Sequence, residues 1–160
     1  MQKFDEVYRL YFDRVYRFLL GLSGNHHIAD ELTQETFFRA MQRLNTYTEQ
    51  GHLHTWLCTI AKNLWLNECR KRKFEAALDT DLPDTSPAPE ESLAEKERRR
   101  ALRRAILELP EDYRDVVLLH IYAELPLKEI AFQKGKSESW GKVTFYRAKQ
   151  LLNRRLEGLK

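Results

Sequence analysis

Between Leu109 and Leu152 the chain reads LPEDYRDVVLLHIYAELPLKEIAFQKGKSESWGKVTFYRAKQLL, and its stop and start signals leave few folds open. Pro110, followed by Glu111 and Asp112, marks a helix start, because proline loses nothing at the first helical position and acids suit the positive end of the helix dipole. Tyr113, Val116, Val117 and Ile121 give one apolar helical stripe. A break at Glu124-Leu125-Pro126 opens a short helix with Leu127, Ile130 and Ala131 inside. Gly135 ends it, and Ser137 is placed to cap a longer basic helix running to about Leu156. Two helices joined by a tight turn containing glycine, the second long and basic, describe a helix-turn-helix whose second helix enters a DNA major groove.

In that last helix positions 141, 145, 148 and 152 face inward, with Phe145 and Leu152 supplying most of the bulk. Ser139, Lys142, Val143, Tyr146 and Arg147 fall outward, a mixture suited to base edges and phosphates. Ser137 and Trp140, in its first turn, join that candidate set. The competing reading is a surface helix whose Lys and Arg are merely solvated.

Toward the N-terminus, Phe4, Val7, Tyr8, Tyr11, Phe12, Val15, Tyr16, Leu19 and Leu22 keep to one face, predicting an amphipathic helix ended by Gly21 and Ser23-Gly24-Asn25. Its aromatics read as core. A second helix is expected from His26 to Leu44, burying Ile28, Ala29, Leu32, Thr36, Phe37, Ala40 and Leu44. Asp30, Glu31, Gln34, Glu35 and Phe38 share its other side. An acidic face is ordinarily just solvated, but an exposed Phe among the acids is the kind of anchor a protein partner uses.

Asn45 to His54 is polar and without helical period, and reads as a loop. A third helix is expected from Thr55 to about Phe74, burying Trp56 or Leu57, then Ile60, Ala61 and Leu64. Its end concentrates charge in Arg70, Lys71, Arg72 and Lys73. Cations near a helix C-terminus favour the dipole in any case, yet a Trp beside a basic cluster also suits single-stranded nucleic acid. Residues 75–95 then change character: LDTDLPDTSPAPEES has three prolines, five acids and no Lys or Arg, the composition of a flexible linker. From Ser92 a helix resumes, with Leu93, Leu102, Ala105, Ile106 and Leu109 inward, and packs on the helix-turn-helix.

Composition narrows the function classes. The charged fraction is 32% and the net charge only +3, so the distribution of charge matters more than its sum. The first residues, with Lys3, Asp5, Glu6 and Arg9 among aromatics, are unlike a signal peptide, and no apolar run approaches a membrane span. Cys58 and Cys69 on one helix stand roughly 16 Å apart, too far for a disulfide. A cytoplasmic protein with reduced thiols is expected.

Three segments occur together in order: HIADELTQETFFRA at 27–40, TWLCTIAKNLWLNECRKRK at 55–73 and LPEDYRDVVLLHIYAELPLKEIA at 109–131. This combination resembles bacterial sigma-70 family factors, in particular the short extracytoplasmic-function type that keeps only regions 2 and 4. The resemblance implies an all-α fold of two small helical domains joined by a flexible acidic linker: region 2 at 1–75, the linker at 76–91 and region 4 at 92–160. It further implies a non-enzymatic promoter-specificity subunit without cofactor or metal. Asp30, Glu31, Gln34, Glu35 and Phe38 would dock on the β′ coiled coil of core RNA polymerase. Trp56, Lys62, Asn63, Arg70, Lys71, Arg72 and Lys73 would melt the −10 element and hold its single strand. Ser137, Ser139, Trp140, Lys142, Val143, Tyr146 and Arg147 would read the −35 duplex, in a domain that also contacts the β flap. The same resemblance implies control by an anti-sigma factor, often membrane-anchored.

The chain departs from the pattern at Lys134, Lys136 and Gly141, where apolar residues are usual, and at Val143, where a polar one is common. A mid-helix glycine costs roughly 1 kcal/mol against alanine and is expected to leave the core a side chain short, with Trp140 or Phe145 swinging in. Two other classes compete. A stand-alone helix-turn-helix regulator would bind its duplex without polymerase. A metal enzyme or redox sensor would use His52, His54 and Cys58 with His26, His27 and Cys69, but this set lacks paired CxxC or HExxH spacing.

Overall fold

The computed structural model describes residues 2–43, 52–76 and 92–158, and every regular element among them is helical. The order is α1 (Gln2–Ser23), α2 (His26–Arg43), α3 (Leu53–Ala76), α4 (Leu93–Leu107), α5 (Glu111–Val117) with a π-helical turn (Leu118–Tyr122), α6 (Leu127–Gln133) and α7 (Glu138–Glu157). The chain divides into two compact units, Met1–Ser86 and Pro87–Lys160. Most of the expected loop at 45–54 and of the linker at 76–91 lies outside the described residues, as does Leu44. Leu53 and His54, expected in the loop, form the first turn of α3, and Ala76 is its last residue.

In the first unit α1, α2 and α3 pack against one another. Gly24 takes the left-handed φ of 66° that lets a helix end, and its N–H donates to Leu20 O at 2.8 Å. Asn25 then caps α2, its Oδ1 accepting from the Ile28 N–H at 3.0 Å. The α1 aromatics clasp their neighbours edge-on or stacked: Tyr8 and Phe12 lie 5.1 and 5.9 Å from Phe37, and Tyr11 stacks on His54 at 5.5 Å. The deepest positions are Val15, Phe18, Leu19 and Leu22. Phe18, outside the expected stripe, is buried because the stripe drifts around the helix, so its C-terminal end runs through 15, 18, 19 and 22. Thr33 replaces the half-buried Leu32 on the inner side of α2. In α3 it is Leu57 that is buried and Trp56 that stays half-exposed.

The second unit is built on α7, against which α4, α5 and α6 pack. Ser92 caps α4 by accepting from the Glu95 N–H. Leu93, expected inward, is 69% exposed, because α4 buries only its second half, at Ala105 and Ile106. Pro110 is the N-cap of α5, one position before the expected site. Ile121 is also corrected: it is 52% exposed while Leu118 and Leu119 are buried. The cause is the π-helical turn, where the Ala123 N–H donates to Leu118 O; each such turn takes up one residue more than an α turn and rotates the residues beyond it. His120 secures this bend, Nδ1–H donating to Leu125 O at 2.8 Å while its ring meets Phe145 edge-on at 4.6 Å.

Candidate nucleic-acid interface

The turn into α7 is fixed by local chemistry. Lys134 caps α6, Gly135 adopts φ 70°, and Ser137 caps α7 by accepting from the Trp140 N–H at 3.1 Å. A buried charge sits behind this turn. Asp115 on α5 is 1% exposed and holds two cations, Lys134 Nζ at 2.7 Å and Arg114 at 3.0 Å. Lys134 also reaches Asp112 at 3.2 Å. Burial alone would lower the Lys134 pKa, but the hydrogen bonds and charges of Asp115 and Asp112 outweigh it and hold it above 10.5. A lysine at a position expected to be apolar is thus the counter-ion of a buried carboxylate.

Gly141 overturns the expectation of an underfilled core. A Cβ there would lie 3.0 Å from Leu127 O and 3.3 Å from the Ala131 Cβ, so the glycine lets α7 rest directly on the α6 backbone. No space remains for Trp140 or Phe145 to fill; both stay half-buried. Thr144, Ala148 and Leu152 complete the inner line. On the outer face stand Ser139, Lys142, Val143, Tyr146 and Arg147, all exposed, with Ser137 before them. A cleft of about 570 Å³ separates this face from the start of α5, with Tyr113, Trp140, Val143 and Arg147 among its walls and Glu111 and Asp112 at its α5 side.

On α2 the acidic face is present as expected: Asp30, Glu31, Gln34 and Phe38 are exposed and Glu35 half-buried. Arg39 pairs with Glu35 at 2.9 Å and His27 with Glu31 at 3.0 Å. Met41, one turn beyond Phe38 and 41% exposed, extends the apolar patch. Its i+3 spacing from Phe38 is the sequence signal for it.

The α3 set separates into two groups. Trp56, Asn63 and Arg70 share one stripe, at intervals of seven residues, and Lys71 is exposed beside it. Asn67, absent from the expected set, is exposed on the same stripe and accepts a hydrogen bond from Arg70. Lys62 is corrected: it is 4% exposed, because Cys58, Ala61, Lys62 and Trp65 keep the i, i+3, i+4, i+7 spacing of the inner face. Arg72 turns away as well and bonds Glu68 at 2.8 Å. The Lys73 side chain lies outside the described residues.

Both cysteines are free thiols on α3, Cys58 buried and Cys69 half-buried. Burial pushes Cys58 up to about 12 against the opposing charge of Arg14. Cys69 is pushed to about 12 by burial and then by Glu68, with Arg72 opposing. His54 spends its ring on Tyr11 and on a 3.7 Å contact to the Cys58 sulfur. Among the described residues no three His, Cys, Asp or Glu side chains gather as a metal site.

A helical unit with an acidic, Phe-bearing face and an aromatic-polar stripe is thus succeeded along the chain by a helix-turn-helix unit. Residues 7–75 match the family description "Sigma-70 region 2" and residues 99–152 match "Sigma-70, region 4". The chain is 33% identical over 150 residues to the ECF RNA polymerase sigma factor SigM of Bacillus subtilis, covering 92% of this chain and 91% of that protein. It is 34% identical to the ECF RNA polymerase sigma factor BldN of Streptomyces coelicolor, spanning 96% of this chain but 60% of that longer protein. The fold is shared with the sigma factor RpoE of Bartonella quintana, solved with the anti-sigma factor NepR (TM-score 0.67, 24% identity, 98% of each chain). CnrH, solved with the cytosolic domain of CnrY, has it too (TM-score 0.63, 18% identity, 99% of this chain and 90% of that one). The chain belongs to the sigma-70 family of RNA polymerase sigma factors, in its extracytoplasmic-function group.

Proposed function

We propose that this chain directs core RNA polymerase to a set of promoters, with its two units sharing the work. The α2 face of Asp30, Glu31, Gln34, Glu35 and Phe38, extended by Met41, docks on the β′ coiled coil. Phe38 is the anchor, because a large apolar side chain that is 52% exposed among acids gains most from being covered. The α3 stripe of Trp56, Asn63, Asn67 and Arg70, with Lys71 beside it, takes the opened −10 strand: an aromatic face for a base, amides for its edge and cations for phosphates. Extruding a base costs a few kcal/mol, which stacking and phosphate contacts together offset. Lys62, being buried, supports the helix rather than the strand. The outer face of α7 reads the −35 duplex, and the same unit contacts the β flap. An anti-sigma factor controls access to these faces, a reading supported by the anti-sigma factor NepR bound to RpoE. Such an inhibitor is often anchored in a membrane. The work is done in the cytoplasm, where polymerase is, and involves no catalysis by the chain itself; no described helix is long and apolar enough to cross a membrane.

The observation that carries this reading is the order of the two matched regions, 7–75 and then 99–152, each holding an exposed face of the required chemistry. Run-off transcription tests it, using the full chain, bacterial core polymerase and a promoter library randomised at −35 and −10. Transcripts that require both proteins and share two sequence elements are the expected result. Tight duplex binding by the chain alone, with no transcripts, would instead make it a stand-alone regulator.

A further inference from the structure

We propose that Val143 selects a thymine in the −35 element by packing on its C5 methyl group. The inference rests on the assignment of α7 to that element and concerns which base the helix prefers. At about 100° per residue, Val143 stands about 145° from the centre of the buried line of Gly141, Thr144, Ala148 and Leu152, with Ser139 and Arg147 each about 40° to either side. Lys142 and Lys149 lie farther round the same helix, on its flank. A helix of about 10–12 Å diameter fills a major groove about 12 Å wide, so its flanks meet phosphates and its outermost line meets the groove floor. Val143 lies within this outward arc, 46% exposed and apolar, with Trp140 beside it along the cleft wall.

The Val143 side chain neither donates nor accepts a hydrogen bond. Pressed against the N7 and O6 of guanine or the amino group of cytosine, it would strip water from those groups and return nothing. The one apolar group that B-DNA offers on that floor is the thymine methyl. The neighbouring Ser139, Arg147 and Gln150 retain hydrogen-bonding capacity for adjacent pairs, so the apolar contact is confined to a single step.

The test uses holoenzyme assembled from the full chain and core polymerase, bound to promoter fragments in which each −35 thymine is replaced singly by deoxyuridine, which removes only the methyl. One position is expected at which the replacement weakens binding about three- to fourfold, the worth of one buried methyl. Val143→Ser should abolish that sensitivity and Val143→Ile should keep it, with unchanged melting temperature for both because the side chain faces outward. A 5-methylcytosine at the same position should bind better than cytosine. If no thymine is sensitive, or if Val143→Ser leaves the sensitivity intact, the inference is wrong while −35 reading stands. Absence of any −35-dependent binding overturns both.

Discussion

Gly141 and Lys134 carry opposite lessons about single residues. Glycine inside α7 costs helix propensity, yet an added Cβ would stand 3.0 Å from Leu127 O, a backbone atom that cannot swing aside. Overpacking of that kind costs about 1–3 kcal/mol, more than the roughly 1 kcal/mol that a better helix former returns. Gly141→Val is therefore expected to melt lower than wild type in thermal unfolding monitored by circular dichroism. A higher melting temperature would restore the idea of an underfilled core. Lys134 neutralises Asp115, whose side chain is only 2% exposed. Replacing it with Met removes one of two cations, and a loss of about 2 kcal/mol is expected, below the roughly 3–5 typical of a fully orphaned buried charge because Arg114 remains. The pH dependence has a definite sign. The Lys134 pKa is raised by folding, so the stabilisation is complete below 10.5 and is lost as pH climbs through the higher folded value. Urea unfolding at about pH 8 and at strongly alkaline pH should show the gap between wild type and Lys134→Met shrinking at the alkaline end.

At the scale of elements, the helix ends were legible in the sequence and the inner registers less so. Gly24, and Gly135 with Ser137, act where the sequence places them, because capping depends on one side chain and its nearest backbone, and Asn25 and Ser92 add caps at the helix starts beside them. The outward face of α7 was legible for the same reason: helical spacing alone sets it. Ile121 was not, since nothing in VVLLHIY distinguishes an α turn from the π turn that rotates Ile121 outward. Lys62 and Asp115 were missed because charge argues for solvent, although Lys62 keeps the helical spacing of the inner face of α3. Leu93 erred in the other direction, an apolar residue on the right stripe but beyond the reach of any packed neighbour. The cap of α7 has a consequence for function. Ser137→Ala removes the side chain that holds the first turn and should cost about 1 kcal/mol of stability. Hydrogen exchange should quicken at Trp140, whose amide donates to Ser137, while the centre of α7 keeps its protection.

For the whole molecule, the division of labour between units can be tested by asking which step each variant slows. Phe38 and Trp56 lie in one unit on different helices, one on the proposed polymerase face and one on the proposed strand-holding stripe. Phe38→Ala removes an exposed anchor without touching the core, and truncation of such an anchor costs about 2 kcal/mol or more, close to thirtyfold in affinity for core polymerase. Trp56→Ala should leave that affinity nearly unchanged and instead reduce the fraction of promoter complexes that open, since base stacking on an aromatic is worth about 1–3 kcal/mol. Arg147→Ala, in the other unit, should spare both and weaken capture of the closed complex, more steeply as salt is added. Core binding measured by competition with a labelled sigma factor, and opening measured by permanganate reactivity of −10 thymines, separate the three outcomes. If Phe38→Ala changed opening but not core affinity, α2 would lose its assignment to polymerase, and the acidic face would revert to what most such faces are, a solvated surface.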